Sequence, residues 1–131
     1  ITDKGLAALG LGQLNYGLTV EELTAAYCIF QNNGVYNTPN LYLYVTDSGD
    51  NMVLNNEDDP EIVISDETAS IMTVMLQNVV KNGTASGLKL KNSVDVAGKT
   101  GTTNADFDRY FVGYTPYYVG GVWTGYDMNQ T

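Results

Sequence analysis

The connection Pro116-Tyr117 constrains the fold of this chain more than any other feature. It joins residues 110–115 to residues 118–126, two runs with the aromatic, β-branched and glycine texture of strands. Two residues cannot carry a parallel crossover, which needs about a dozen or more, so these strands pair antiparallel. Residues 94–102 have the same texture, and the C-terminal third therefore predicts about three antiparallel strands. Gly98, Gly101, Gly113, Gly120, Gly121 and Gly125 fall inside them. Glycine weakens a strand unless something must approach its backbone, which predicts a helix packed on one face or a substrate laid against it.

The helices are legible upstream. Over residues 19–33, Thr19 and Glu22 have capping-box spacing, Leu23, Ala26, Tyr27 and Phe30 recur at helical period, and Gly34 supplies a stop. Cys28 lies inside this helix, where a buried thiol is inert packing, and it receives no functional role. A second helix over residues 66–82 is capped by Ser65, with Asp66 and Glu67 in its first turn, Lys81 in its last, and Gly83 closing it. Ile71, Met72, Val74, Met75, Leu76, Val79 and Val80 occupy more than one stripe, which predicts cover on two sides. Between the helices, residues 41–54 predict a hairpin around the turn cluster Asp47-Ser48-Gly49-Asp50-Asn51. The acidic run over residues 55–61 lacks the glycine and terminal glutamate of an EF-hand loop and reads as a solvated loop. The fold class is α+β, an antiparallel sheet with helices packed on its face.

Composition narrows the chemistry. At 131 residues with 44% hydrophobic, the chain buries the core of one modest domain and leaves no room for a second. Six basic against fifteen acidic residues, a net charge of -9, repel a phosphate backbone and exclude nucleic acid as a partner. The absence of histidine excludes Ser-His-Asp hydrolysis and His-zinc sites. The single cysteine forms neither an internal disulfide nor a Cys-cluster metal site, and neither a metal nor a cofactor is expected. Apolar stretches fall far short of the roughly twenty residues that span a bilayer. The start at Ile1 and the polar end at Met128-Asn129-Gln130-Thr131 read as a piece cut from a longer polypeptide, an incomplete domain.

The segment Ala97-Gly98-Lys99-Thr100-Gly101-Thr102-Thr103-Asn104 carries the chemistry. A phosphate-binding P-loop is rejected, because its first glycine falls on Ser93 and more strand than helix follows. An exposed Lys-Thr-Gly in a hairpin is the plain alternative. Lys-Thr-Gly on a strand is also one of three signature elements of penicillin-binding proteins and class A β-lactamases, beside S-x-x-K and S-x-N. With Tyr110-Phe111-Val112-Gly113-Tyr114-Thr115-Pro116 and Val122-Trp123-Thr124-Gly125-Tyr126-Asp127, it resembles the C-terminal strand set of class A penicillin-binding proteins, the bifunctional peptidoglycan synthases. Upstream, the segment from Tyr16-Gly17-Leu18-Thr19 through Gly34-Val35-Tyr36 is similar to the helix after the family's S-x-N element. Ile64-Ser65 through Val79-Val80, with Gly83-Thr84-Ala85, resembles the next helix and loop, so the resemblance covers essentially the whole chain.

That resemblance implies a serine D,D-transpeptidase that cross-links peptidoglycan stem peptides through an acyl-enzyme and is intercepted by penicillins. Lys99 then polarises the cleft and attracts the carboxylate of the stem peptide or β-lactam. Thr100 and Thr102 hydrogen-bond that carboxylate, Gly101 lets the ligand lie along the strand edge, and the backbone N–H of Thr102 is a donor of the oxyanion hole. Alternation turns Thr100 and Thr102 to one side and Lys99 to the other, unless its flexible stem curls back. The chain departs from the family in what it lacks. None of Ser48, Ser65, Ser70, Ser86 and Ser93 begins an S-x-N, and Tyr110 stands where the family often has tryptophan. Ser86-Gly87-Leu88-Lys89 matches S-x-x-K formally but lies in the loop before the K-T-G strand, and Ser86 is not read as the nucleophile. The chain therefore supplies the K-T-G wall and is expected to be inactive without the remainder of the domain, its other partner being a possible second copy through an exposed edge. Alternatives are a fragment of a D,D-carboxypeptidase or serine β-lactamase, or a non-catalytic module of the same fold. The resemblance also implies the extracytoplasmic face of the bacterial membrane, with the anchoring N-terminal helix outside this chain.

Overall fold

The computed structural model describes residues 10, 12, 17–57, 59–103 and 107–126. Tyr16, Asp58, Asn104, Asp127 and the polar run over residues 128–131, all used above, lie outside the described residues.

Helix α1, Val20–Gln31, starts on a reciprocal cap. The Glu22 backbone N–H donates to Thr19 Oγ1 at 3.1 Å, and the Thr19 N–H donates to Glu22 Oε2 at 2.8 Å, so two otherwise orphaned helix-end donors are satisfied. The Thr19 backbone N–H, and then its hydroxyl, hold the Glu22 carboxyl below the ordinary 4.5. The helix is left through Asn33 and Gly34, at φ 53° and 93°. At Gly34 a side chain would strike the Ile64 carbonyl as well as strain the backbone. That approach lets β1, Val35–Tyr36, pair antiparallel with β4, Glu61–Ile62. Strands β2, Tyr44–Thr46, and β3, Met52–Asn55, form a hairpin with a register shift between Val45 and Thr46. Helix α2, Asp66–Asn82, is capped by Ser65 Oγ, which accepts from the Thr68 N–H at 3.2 Å.

A 3-10 helix over Lys89–Asn92 leads into the main sheet, β5 (Ala97–Thr102), β6 (Asp108–Tyr114) and β7 (Val119–Gly125), antiparallel throughout in the order β5-β6-β7. The register aligns Ala97, Lys99 and Gly101 with Tyr114, Val112 and Tyr110, and these with Val119, Gly121 and Trp123, on one face. There Leu76, Ala97 and Tyr114 form a buried cluster with Tyr27, Phe30 and Val119 packed against it. Gly121 meets the Thr24 hydroxyl and Val20 of α1, so a side chain at this position would push the helix off β7. Val80, Ala85 and Val96 form a second buried cluster, with Phe111 packed against it from the other face of the sheet. The Tyr114 hydroxyl lies 2.9 Å from Thr73 Oγ1, tying β6 to α2 across the core.

Several local expectations shift. The strand expected over residues 94–102 begins only at Ala97, because the Val94 N–H is still bonded to the Leu90 carbonyl at 3.2 Å. The strand expected over residues 110–115 runs from Asp108, whose carbonyl accepts from the Thr103 N–H at 3.1 Å, and ends at Tyr114. The last strand stops at Gly125 and starts at Val119, since the Tyr118 carbonyl is spent closing the turn onto the Thr115 N–H. In the hairpin expected over residues 41–54, Leu41, Tyr42 and Leu43 stay outside the ladder and Asn55 joins it. Helix α2 buries Ala69, Leu76 and Val80 but leaves Ile71, Val74 and Met75 exposed, so this chain covers one side of it rather than two.

Candidate functional site

Strand β5 is the outer strand of the sheet, so one side of its backbone faces no strand partner among the described residues. The Thr103 N–H points inward to the Asp108 carbonyl. Inward- and outward-facing residues alternate along an antiparallel ladder, so Thr100 and Thr102 present their N–H and C=O groups to the open edge. Lys99 agrees with this direction, since its Nζ donates to the Thr100 carbonyl at 2.7 Å.

The side chains divide as alternation requires. Lys99 leaves the strand on the face shared with Ala97 and lines a groove of about 470 Å³ bounded by Tyr110, Val112, Leu23 and Tyr27. Its stem then turns along the strand, which brings the ammonium to the edge. Thr100 points to the opposite face, its Oγ1 2.7 Å from Thr84 Oγ1. Thr102 follows on that face and is exposed. Gly101 differs from its neighbours. A Cβ there would meet only Tyr110, at 3.5 Å, which is ordinary contact, and its backbone is not left-handed. At Gly98 and Gly113, by contrast, the Phe111 ring lies within 2.9 Å of such an atom. The fold of this chain therefore requires glycine at 98 and 113 but not at 101. Lys99, Thr100, Gly101 and Thr102 thus come together along one strand as an ammonium, two hydroxyls and two outward N–H groups, a donor set that suits an anionic group.

Two supports of this edge escaped the sequence reading. Asp108 Oδ1 accepts from Trp123 Nε1 at 3.0 Å and Oδ2 from Thr103 Oγ1 at 3.1 Å, while the Asp108 N–H donates back to Thr103 Oγ1 at 2.9 Å. This network clamps the strand end beside Thr102. Thr84 is the other, sixteen residues from its partner, and no local spacing signals the contact. Its loop is held by the N–H groups of Gly83 and Ala85, both on the Val79 carbonyl at 3.0 and 3.3 Å, and by burial of the Ala85 side chain.

The formal S-x-x-K match lies elsewhere. Ser86 is exposed in the turn after α2, and the lysine that reaches it is Lys91, whose Nζ donates to the Ser86 carbonyl at 2.5 Å, rather than Lys89 of the motif. Cys28 is half-buried, and desolvation pushes its thiol up against the opposing pull of a backbone hydrogen bond, which disfavours the reactive thiolate. Among the described residues no helix is long and apolar enough to cross a membrane.

The family model of the penicillin-binding protein transpeptidase domain matches residues 2–131. Penicillin-binding protein 1A of Clostridium novyi is 38% identical over 125 residues, covering 94% of this chain and 14% of the relative. Penicillin-binding protein 1F of Bacillus subtilis is 39% identical over 136 residues, covering 99% of this chain and 19% of the relative, so the chain spans under a fifth of the length of either. The D,D-transpeptidase domain of a peptidoglycan glycosyltransferase from Eggerthella lenta superposes with a TM-score of 0.63 at 31% identity, over 75% of this chain and 24% of that one. Penicillin-binding protein 1A from Haemophilus influenzae shares the fold, with a TM-score of 0.69 at 20% identity over 84% of this chain and 22% of that one. With its K-T-G segment on an open sheet edge, the chain belongs to the penicillin-binding protein transpeptidase domain family.

Proposed function

We propose that this chain forms the K-T-G wall of the acyl-transfer cleft of a peptidoglycan D,D-transpeptidase. The observation that carries the reading is Gly101: its own fold leaves room for a side chain, so the bare edge serves something laid against it from outside. A stem peptide or β-lactam adds along β5 as a further strand. The Thr100 and Thr102 hydroxyls hold its carboxylate, and the Lys99 ammonium, already at the edge, supplies the attracting charge. The outward Thr102 N–H donates to the carbonyl oxygen as it gains charge, where one aligned donor contributes about 3–4 kcal/mol to the transition state. A serine hydroxyl from the remainder of the protein attacks the carbonyl of the penultimate D-alanine. The terminal D-alanine leaves with a proton, and a neighbouring amine then takes the acyl group and returns the serine proton. Nucleophile and base come from outside this chain, which holds no S-x-N, and the whole works at the extracytoplasmic face of the membrane.

The test is acylation by a labelled penicillin of the longer protein that carries this chain. Lys99→Ala slows acylation about 10- to 100-fold, the range for losing one hydrogen bond to a charged group. An unchanged rate overturns the role of Lys99. The 131-residue chain alone takes no label; a stoichiometric mass increase on Ser86 contradicts this. Transfer of the acyl group to an amine, rather than to water alone, separates a transpeptidase from a D,D-carboxypeptidase or β-lactamase.

A further inference from the structure

We infer that Thr84, which lies on the loop after α2 and outside the K-T-G segment, is a positioning residue that sets the direction of the Thr100 hydroxyl proton for a carboxylate ligand. The inference rests on the reading of the cleft just given. The two hydroxyl oxygens are 2.7 Å apart, so one of them donates to the other. A threonine hydroxyl has one proton to give. If Thr100 spends it on Thr84, none remains for an anion; if Thr84 donates, the Thr100 proton is free to point at the ligand. A carboxylate is acceptor-only, so it selects the relay Thr84 to Thr100 to carboxylate, in which each bond polarises the next.

The geometry argues against a mere staple. The loop is already anchored by the backbone bonds of Gly83 and Ala85 to Val79, and by Ala85 and Val80 in the buried cluster with Val96. The Thr84 side chain is exposed, where a hydrogen bond competes with water and adds little to stability. Thr84 touches no reacting atom in this arrangement and acts only through Thr100.

The experiment measures second-order acylation of the longer protein by a penicillin with a free carboxylate and by its neutral methyl ester. Thr84→Val is expected to slow reaction with the carboxylate form about three- to tenfold, the effect of one ordinary hydrogen bond, with less loss on the ester. Discrimination between the two forms then shrinks, the melting temperature is unchanged, and Thr84→Ser restores the rate. On a Thr100→Val background, Thr84→Val adds no further loss. The inference is overturned if Thr84→Val reacts like the wild type, slows both forms equally, or is not rescued by serine. A wild type that takes no penicillin, or a Thr100→Val without effect, overturns the reading of the cleft and this inference with it. A slowed Thr100→Val beside a neutral Thr84→Val overturns the role of Thr84 alone.

Discussion

The β5-β6-β7 sheet and the β2-β3 hairpin are both antiparallel, yet opposite forces hold them. In the sheet, Ala97, Val112 and Tyr114 are 2–4% exposed and packed under helices. In the hairpin every strand residue is exposed, including Val53 and Met52 at 60% each. Hydrogen bonds order the hairpin at both ends: in the turn, Asp47 Oδ1 accepts from the Gly49 and Asn51 N–H groups at 2.7 and 3.0 Å and the Asn51 side chain donates to the same carboxylate, while at the open end the Asn56 N–H donates to the Leu43 carbonyl at 2.6 Å. A two-stranded hairpin with no buried face is marginal in water, so its register depends on those bonds. The comparison explains where the candidate site lies. The K-T-G residues sit on the strand whose Ala97 is packed under the helices, not on the hairpin that has no buried face.

The sharpest way to break the comparison is to remove packing from the clamped region. Leu76→Ala opens a cavity beneath Ala97 and Tyr114 and is expected to cost about 2–5 kcal/mol in urea unfolding. A smaller loss would mean that the sheet does not depend on α2. An intermediate effect comes from acid. Hydrogen bonds, first from the Asn51 side chain and then from the Asn51 and Gly49 N–H groups, hold the Asp47 carboxyl below the ordinary 3.8. The unfolded chain therefore binds this proton more readily, and the contribution is complete above pH 3.8 and lost as pH falls through the lowered native value. Amide exchange should show the hairpin opening in that window while β5 and β6 stay protected; simultaneous opening contradicts the separation. The same sign applies to Glu22, whose cap on α1 is complete above pH 4.5 and weakens below it. The smallest effect is expected from Leu54→Ala, at most about 0.5 kcal/mol in the same unfolding experiment, because the side chain is already 49% exposed. A cost near that of Leu76→Ala would show a buried hairpin face.

The most legible features were those set by near neighbours in the chain. Thr19 and Glu22 are three residues apart, so the capping box could be read as spacing, and the helix read over residues 66–82 spans Asp66–Asn82 in the structure. The two-residue Pro116-Tyr117 connection likewise left β6 and β7 no arrangement but an antiparallel one. The K-T-G segment was legible as a motif. Less visible were the pairing of β1 with β4 and the single covered side of α2, which depend on residues far apart in the chain, and the start of β5 at Ala97, where a local turn from Leu90 still holds Val94.

Sequence by itself determined the fold class and the antiparallel order of the last two strands, because turn length, capping spacing and alternation act within a few residues; Lys99, Thr100, Gly101 and Thr102 stood out only through the resemblance of their motif to a known family. Only the tertiary structure decided that Lys99 curls to the open edge, that Gly101 is bare without need from its own fold, and that Thr84 meets Thr100. Those outcomes depend on how a helix and its loop pack against a strand, and packing is a property of surfaces brought together by folding rather than of residues adjacent in the chain.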